Sequence, residues 1–338
     1  MLEDNKKTIY VVYAADDPFT QVMGTSIISL FENNRNVHFV IYILDGGIQE
    51  DNKKKIYQLF DAYGSAPVWC LATSINKELG IKVSMDRGSI SQFSRLFLAR
   101  FLPQGIERVL YLDCDTLIIQ SIQELWQMAL MGKTVAALKD PFSKYYRRNL
   151  GLSDHETLLN SGVLLIDLFK WRANHFEDKL LNIILKYKGH IPQGDQGALN
   201  VALAGQILPF NPKFNAITLF YDFSYSDMML YRKPPTGYYS RDEVTAAKNQ
   251  PAIVHFTSSF LSVRPWVKGC THPFVNEWLT YKQLSPWKDS ILADPINLKW
   301  WKQIYINFYR IAPKVLSVRI SGFLQAYGRP WLQKLRVN

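Results

Sequence analysis

The feature that most constrains the fold is an alternation of apolar runs and helical patterns in the first 72 residues. The run Ile9–Ala15 is continuously apolar and rich in β-branched residues, which is typical of a parallel strand buried on both faces. Similar runs cover 37–44 and 67–72, and the apolar residues of 22–33 and 49–63 recur at helical spacing. This order predicts an α/β fold in which helices cover both faces of a sheet.

The rest of the chain continues the pattern less regularly, after a serine-rich polar segment, 84–91. Strands are predicted at 108–112, 135–138, 163–166 and 252–256, and helices at 91–101, 174–187 and from Gln193 onward.

Composition excludes several classes of protein. A length of 338 residues predicts about two domains, and 48% hydrophobic residues exclude a disordered chain. Three cysteines without paired spacing indicate neither a disulfide framework nor a zinc site. The charged segment 1–8 lacks the apolar stretch of a signal peptide, and no uncharged apolar run reaches the roughly 18 residues of a membrane-spanning helix. These features predict a reducing cytoplasm as the compartment.

The net charge of +10 is concentrated at one end of the chain. Residues 295–338, here called the tail, carry eight basic side chains, no acidic ones and many aromatic ones. The remainder has 31 basic and 29 acidic side chains, so it is nearly neutral. Interleaved basic and aromatic residues predict a helix on an anionic membrane surface, and the alternative is a helical addition packed on the body. No nucleic-acid-binding motif accompanies the charge, so we expect no nucleic acid partner.

Two carboxylates follow the predicted strand 108–112. In an extended chain, residues i and i+2 point to the same side, so Asp113 and Asp115 are placed to share one divalent cation. Ligands bind at the carboxyl ends of strands in open α/β sheets, and oxygen ligands suit Mg²⁺ or Mn²⁺. The alternative is a solvated junction between a strand and a turn.

Further polar residues stand at the ends of other predicted strands. Asp16 and Asp17 follow the first strand, where they either cap the next helix or bind a nucleobase or ribose. His255 ends a late strand, where it is either a core residue or a further ligand of Mn²⁺. In the second case, Arg264 and Lys268 are placed to neutralise phosphate.

Six motifs in chain order carry a family resemblance. They are Tyr13–Asp17, Phe93–Leu96, Tyr111–Thr116, Leu159–Asp167 with Lys170–Arg172, Gly194–Gln196, and His255 with Arg264–Trp266. Together they resemble glycosyltransferase family 8, retaining enzymes of the GT-A fold that include bacterial lipooligosaccharide galactosyltransferases and glycogenin. The resemblance covers roughly three quarters of the chain.

The resemblance implies a GT-A, Rossmann-like mixed sheet with helices on both faces. It places a catalytic domain at 1–275, with a nucleotide-sugar half at about 1–120 and an acceptor and sugar half at about 121–275. Residues 276–338 are then a basic, aromatic helical extension. The same resemblance favours peripheral attachment to the inner, cytoplasmic face of the cell membrane.

The resemblance also implies a role for each matching residue. Asp113, Asp115 and His255 would hold Mn²⁺, with Mg²⁺ as the alternative, and the ion would bridge the donor diphosphate. The other donor contacts are Ala14 and Asp16 to uridine, Arg95 and Arg264 near the diphosphate, and Asp140, Asn160, Ser161, Asp195 and Gln196 to the sugar. Arg264 stands where the family often has Lys, after a longer segment 257–262, so the geometry around the diphosphate is expected to differ.

The implied reaction moves galactose or glucose from a UDP-sugar to a cell-surface glycan, glycolipid or glycoprotein. Retention follows from front-face attack, which we favour, or from double displacement, with Asp195 and Gln196 as the catalytic candidates. Aromatic residues between Phe210 and Tyr239 are either a stacking platform for the acceptor or core. A sugar-nucleotide nucleotidyltransferase needs a glycine-rich loop where Asp16–Phe19 stands, and the intact acidic pair disfavours a non-catalytic membrane- or glycan-binding module.

Overall fold

The computed structural model describes residues 8–72 and 91–337, which contain ten β-strands. The serine-rich segment of the sequence lies outside the described residues, except for Ser91. The strands are β1 (Ile9–Ala15), β2 (Phe39–Asp45), β3 (Pro67–Leu71), β4 (Arg108–Leu112), β5 (Thr116–Ile118), β6 (Val135–Lys139), β7 (Leu159–Asp167), β8 (Ile207–Pro209), β9 (Ala216–Ile217) and β10 (Ile253–His255).

Seven strands form a mixed central sheet in the order β3-β2-β1-β4-β7-β6-β8. Strands β3, β2, β1 and β4 are parallel, as the first part of the sequence predicts. Strand β7 runs antiparallel to β4 and β6, while β8 is parallel to β6. The expectation of an α/β fold with a mixed sheet is therefore confirmed.

The described helices lie around this sheet and continue into the tail. They are α1 (Thr20–Glu32), α2 (Glu50–Asp61), α3 (Ser91–Ser94), α4 (Leu98–Phe101), α5 (Gln123–Gln127), α6 (Lys144–Asn149), α7 (Leu168–Ala173), α8 (Phe176–Lys186), α9 (Gly194–Ala202), α10 (Thr218–Asp222), α11 (Tyr225–Arg232), α12 (Arg241–Asn249), α13 (Val275–Gln283), α14 (Trp300–Ile311), α15 (Lys314–Phe323) and α16 (Arg329–Val337). Short 3₁₀ segments cover Asp17–Phe19, Arg95–Phe97 and Pro212–Asn215, and a π-helical turn covers Leu324–Gly328.

Two predicted helices differ from the structure in their extent. The segment 91–101 is helical in three short pieces, because Arg95–Phe97 adopts 3₁₀ geometry between α3 and α4. The predicted helix 174–187 begins later than expected, because His175 adopts a left-handed conformation (φ 52°) between α7 and α8. Helix α7 starts at a cap in which the Asp167 carboxylate accepts the Lys170 N–H at 2.8 Å.

A second, three-stranded sheet fixes the edge at which β4 ends. Its order is β5-β10-β9, with β10 antiparallel to β5, so His255 lies opposite Thr116. The Phe256 N–H donates to the carbonyl of Asp115 at 2.9 Å, and the Asp113 N–H donates to the carbonyl of Gly162 at 2.8 Å. These bonds bring the ends of β4 and β10 against the first half of β7, although the three strands are far apart in sequence.

The aromatic segment between Phe210 and Tyr239 is mainly core. Its most buried aromatic rings, each at most 7% exposed, are Phe210, Phe214, Phe220, Phe223, Tyr231 and Tyr239. The core alternative therefore accounts for most of these residues. Further on, Trp278 and Trp287 are also buried, and Trp287 packs against Gly24 of α1. Helix α13 begins at Val275 and packs on the body, and the expected boundary between residues 275 and 276 stays a prediction.

The tail packs on the body through small residues. Ser317, Val318, Ser321 and Gly322 are buried, and a Cβ on Gly322 would lie 2.5 Å from the carbonyl oxygen of Leu230. The π-helical turn frees carbonyls for side chains of the body, because Ser143 donates to Ala326 at 2.7 Å and Tyr146 to Gln325 at 3.0 Å. The tail is therefore a docked helical layer.

The opposite face of the tail is apolar and exposed. Its exposed large apolar residues are Ile296, Leu298, Trp300, Trp301, Ile304, Ile311, Val315, Leu316, Ile320, Phe323, Leu324, Trp331, Leu332 and Leu335. Helix α15 thus turns its small residues toward the protein and its large apolar residues toward solvent, the reverse of an ordinary amphipathic helix. None of the helices within residues 8–72 and 91–337 is both long and apolar enough to cross a bilayer.

Candidate active site

Asp113, Asp115 and His255, here called the metal corner, converge at the edge fixed by the two sheets. Nε2 of His255 lies 3.1 Å from Oδ1 of Asp115 and 3.8 Å from Oδ2 of Asp113, and potential ligand atoms of all three lie within 4.8 Å of one another. The carboxylates do not continue strand β4 as the sequence argument assumed. They lie in a turn between β4 and β5, in which the Thr116 N–H donates to the Asp113 carbonyl at 3.1 Å.

The chemistry of these residues fits a divalent cation. Two carboxylates and an imidazole are the oxygen-rich ligand set that Mn²⁺ or Mg²⁺ accepts. Burial alone would raise the pKa of Asp115, but the facing His255 and Arg264 lower it below its ordinary value. The group is therefore a carboxylate at neutral pH, and a cation at this point offsets the desolvation of a buried negative charge.

Arg95 joins the metal corner to the predicted sugar residues. Its guanidinium lies 2.8 Å from Oδ1 of Asp113 and 3.1 Å from Oδ2 of Asp195, and it donates to the Ser161 carbonyl at 3.1 Å. The guanidinium also lies 4.8 Å from the Tyr111 ring centroid. Burial opposes its charge, but the pKa of Arg95 is raised above its ordinary value because Asp113, Tyr111 and Asp195 stabilise the cation.

Gln196 connects two other predicted sugar residues. Its Nε2 donates to Oδ2 of Asp140 at 3.1 Å, and its Oε1 accepts the Ser161 N–H at 3.2 Å. Burial raises the pKa of the Asp140 carboxyl above its ordinary value. Both ends of the Gln196 amide are therefore held in one orientation.

Asp195 lies in the first turn of α9, beside Gln196. Burial raises the pKa of its carboxyl, although Arg95 opposes the shift. The Oδ2 atom is in ion-pair range of Arg95 but forms no aligned hydrogen bond within the described part of the chain. It is thus a buried acceptor that a ligand hydroxyl can satisfy.

The carboxyl end of β1 lies against the metal corner. The Cys114 thiol, between the two metal carboxylates, donates to the Ala14 carbonyl at 3.1 Å. The Asp16 side chain makes no cap bond to the following helix. Asp17 accepts the Gln49 N–H and the Asn52 side chain, each at 2.8 Å, at the start of α2. Asp17 therefore binds the segment at the start of α2 and does not cap the helix that follows β1, so these contacts support the capping alternative at neither residue.

Arg264 reaches the metal corner and Lys268 does not. One Arg264 nitrogen lies 3.3 Å from Oδ2 of Asp115 and donates to Ser258 at 2.8 Å. The Lys268 ammonium pairs with Asp294 at 2.7 Å. The structure thus brings one of the two predicted phosphate cations to the site.

The longer segment 257–262 connects this site to the tail. Ser259 and Ser262 both donate to the Asp222 carboxylate. Between them, the Phe260 ring contacts Tyr305 and Tyr309 of α14, with ring centroids 5.2 and 5.1 Å apart.

Sequence reasoning gave no role to Gly162 or Cys114. A Cβ on Gly162 would lie 2.0 Å from Cε1 of His255, so only glycine allows the imidazole to pack against β7. A glycine inside a strand is a signal of close approach by another group and could have pointed to this contact. The contact of Cys114 had no such signal, because a thiol after a strand is also an ordinary core residue.

A family model described as glycosyl transferase family 8 matches residues 10–269, about three quarters of the chain. The chain belongs to glycosyl transferase family 8. As a member of this family it is a glycosyltransferase, and its partners are a sugar-nucleotide donor and a glycan acceptor. Family members with this fold generally use a divalent metal ion, for which the metal corner is the candidate site. The nucleotidyltransferase and binding-module alternatives are set aside.

Several known proteins are similar to this family 8 chain over most of its length. General stress protein A of Bacillus subtilis (strain 168) is 27% identical over 285 residues, 82% of this chain and 94% of that protein. Lipopolysaccharide 1,2-glucosyltransferase of Escherichia coli (strain K12) is 26% identical over 306 residues, 89% of this chain and 86% of that protein. The galactosyltransferase LgtC, solved with donor and acceptor sugar analogues, aligns with a TM-score of 0.70 at 23% identity over 83% of this chain and 99% of that chain. This likeness establishes the GT-A fold.

Proposed function

We propose that the protein transfers galactose or glucose from a UDP-sugar to a glycan, glycolipid or glycoprotein with retention of anomeric configuration, using Mn²⁺, or Mg²⁺ in its place. The observation that carries the proposal is the convergence of Asp113, Asp115 and His255 at the strand ends where ligands bind in this class of sheet. The names of two similar proteins, a glucosyltransferase and a galactosyltransferase, support a hexose donor.

Charge on the leaving diphosphate grows as the glycosidic bond breaks. A bound divalent ion supplies electrostatic stabilisation of that charge. Arg264 lies beside Asp115 and is placed to bind the same phosphates, while Arg95 holds Asp113 in position. At the end of β1, Ala14 and Asp16 are placed to bind uridine.

The sugar lies, in this proposal, over Asp140, Asn160, Ser161, Asp195 and Gln196. Asp195 offers a buried acceptor oxygen to a sugar hydroxyl, and Gln196 is held by Asp140 and Ser161. An amide is a poor nucleophile, and Arg95 beside Asp195 reduces the reactivity of that carboxylate. These contacts support front-face attack over double displacement.

Incubation with UDP-galactose or UDP-glucose, with and without Mn²⁺, tests this proposal by release of UDP in the absence of acceptor. We expect Mn²⁺-dependent release from one of the two donors, and stabilisation of the protein against heating by UDP with Mn²⁺. Failure to turn over either donor, together with no stabilisation by UDP, would overturn the proposed donor. Anomeric analysis of the product with a glycan acceptor then tests retention.

We further propose that the tail attaches the enzyme peripherally to an anionic membrane surface, at the cytoplasmic face. Support comes from its exposed face, which combines large apolar side chains with basic residues and has no acidic residue. So many exposed large apolar side chains in one segment are typical of an interaction site. Each basic group near an anionic leaflet adds about 1 kcal/mol of binding.

Sedimentation with vesicles tests this attachment on the full chain. We expect binding to phosphatidylglycerol-containing vesicles, weaker binding to phosphatidylcholine alone, and a clear loss in the double variant Trp300→Ser with Trp331→Ser. Phe169→Ser is the matched control, since Phe169 is 64% exposed and Trp331 62%, but Phe169 lies on the body. Equal vesicle binding by the double variant, the control and the wild type would reject the role of the tail.

A further inference from the structure

A buried amide lies behind the metal-binding histidine. Asn215 ends the 3₁₀ segment Pro212–Asn215 and has no exposed surface. Its Oδ1 lies 2.9 Å from Nδ1 of His255, and its Nδ2 donates to Oδ1 of Asn160 at 2.9 Å. One side chain thus contacts both a proposed metal ligand and a proposed sugar-binding residue.

A backbone N–H fixes the direction of these bonds. The Gly162 N–H can only donate, and it lies 3.2 Å from Oδ1 of Asn160, which is therefore an oxygen at that point. The atom of Asn215 facing the same oxygen must be the NH₂ group, which leaves its own oxygen toward His255. That oxygen accepts only from a protonated Nδ1 of His255.

The consequence for His255 is a defined tautomer. In the neutral ring only one nitrogen carries a proton, so a proton held at Nδ1 leaves Nε2 with a free lone pair. Nε2 is the atom that faces Asp115 at 3.1 Å and Asp113 at 3.8 Å. Three acceptor atoms then point at one place, which is the arrangement that a cation requires.

The bonds continue toward the sugar-binding residues. Asn160 hydrogen-bonds to the Asp140 carboxylate, which also accepts from Gln196. The path from His255 through Asn215 and Asn160 to Asp140 therefore runs through side chains that are each at most 9% exposed.

We propose that Asn215 is a positioning residue of this transferase, which holds His255 in its metal-binding tautomer and aligns Asn160 with the donor sugar. The inference rests on the proposed function, because it assigns Asn215 to the same metal and sugar sites. Asn215 acts through His255 and Asn160 and does not itself touch metal or donor.

Two variants of Asn215 separate its two bonds. Asn215→Leu has similar volume but removes both bonds, and loss of such an orienting partner weakens metal binding by about 10- to 100-fold. Asn215→Asp keeps an acceptor for His255 but removes the NH₂ donor to Asn160. We expect it to bind Mn²⁺ within about threefold of the wild type, since carboxylates commonly orient metal histidines, and to bind UDP-hexose more weakly relative to UDP.

The measurement is Mn²⁺ affinity without donor, by electron paramagnetic resonance of free Mn²⁺, followed by UDP and UDP-hexose affinities. Asn211→Leu is the matched control, because Asn211 caps the same 3₁₀ segment by accepting the Lys213 N–H at 3.0 Å and is exposed, whereas His255 is buried. We expect this control to bind Mn²⁺ like the wild type. Circular dichroism verifies folding, and Asn215→Ala replaces the leucine variant if that variant does not fold.

The possible failures are distinguishable. A wild type that binds no Mn²⁺ overturns the proposed metal corner, and the inference falls with it. A wild type that binds Mn²⁺, with the same affinity in folded Asn215→Leu or Asn215→Ala, overturns the role of Asn215 alone. The inference is also contradicted if Asn215→Asp loses as much Mn²⁺ affinity as Asn215→Leu. A loss of Mn²⁺ affinity in the control Asn211→Leu contradicts it as well.

Discussion

The metal corner and the tail depart from ordinary protein burial in opposite directions. In the metal corner and around it, charged and polar side chains are buried, including Arg95 and His255 at 6% and 4% exposure. In the tail, large apolar side chains are exposed, including Trp300 at 75% and Ile311 at 84%. Both departures are costly in an isolated chain, because buried charge and exposed apolar surface are each unfavourable.

The difference between the two regions lies in their partners. Each buried charge of the corner faces another group of the protein, as Arg95 faces Asp113 and Asp195. The outward apolar side chains of the tail remain largely exposed to solvent. The corner therefore suits a small ligand that binds among side chains held in place. The tail suits a partner with a large apolar surface.

The substitution Asp115→Asn tests whether the corner alone carries the chemistry. We expect donor turnover to fall by at least about 1000-fold, because a lost metal ligand removes several kcal/mol of charge stabilisation. Vesicle binding should stay unchanged. Asp294→Asn, at an exposed ion pair with Lys268, is the control and should keep full activity. Metal-dependent turnover that survives in Asp115→Asn would refute the metal assignment.

The pKa of His272 reports how completely water is excluded from the part of the body that lies beside the metal corner. Burial lowers the pKa of His272 from 6.5 to about 4. The unfolded chain therefore takes up a proton that the folded protein does not, and stability falls by about 3 kcal/mol as the pH falls through this window. Above this pH window, the full contribution of His272 to the free energy of unfolding is present.

Denaturant unfolding across that pH window measures the effect. His272→Asn keeps an acceptor for the Phe274 N–H, which lies 3.2 Å from Nδ1 of His272, but does not titrate. We expect the variant to lack the part of the pH dependence that His272 contributes. Identical pH profiles for the two proteins would show that His272 is hydrated.

Gly162→Ala probes the space behind the metal histidine. The added methyl group meets the His255 ring, so we expect a loss of about 1–3 kcal/mol of stability from overpacking and weaker Mn²⁺ binding. Gly105→Ala is the matched control, since a Cβ there meets nothing within 4 Å. Unfolding midpoints and Mn²⁺ titration decide the outcome, and equal behaviour of the two variants would contradict the close packing.

The smallest expected effect belongs to a single charge of the tail. Lys302→Gln should weaken binding to phosphatidylglycerol-containing vesicles by about 1 kcal/mol and leave donor turnover unchanged. Lys54→Gln removes an exposed charge from α2, where it pairs with Asp51, and should leave both properties unchanged. If the two lysine variants lose the same affinity, net charge alone explains binding and the contrast between tail and body disappears.

Local patterns in the sequence predict the longer strands and the short strand β10, and miss β5, β8 and β9. Strands β1 and β4 were identifiable because each contains an uninterrupted apolar run, of seven residues in β1 and four in β4. Strands β5 and β9 have three and two residues, too few to show a period. Strand β7 begins earlier than its apolar run, because the polar residues Asn160 and Ser161 belong to the strand.

For the candidate site, the sequence identifies the residues but not the contacts that assemble them. Asp113 and His255 are recognisable from strand ends and the family resemblance, yet their proximity depends on the pairing of β5 with β10. Asn215 lies in a segment whose pattern resembles an ordinary turn, and only the folded chain places it behind His255. Such long-range contacts leave no periodic signal.

The thiol of Cys114 gives the metal corner a natural reporter. It is 7% exposed, it donates to Ala14, and burial together with the neighbouring carboxylates raises its pKa well above the usual value. A thiolate-seeking reagent therefore reacts there only during the moments when the corner opens. The rate at which the thiol is labelled therefore measures how often the corner opens. A slower rate with Mn²⁺ or UDP bound measures how far each ligand stabilises the closed corner.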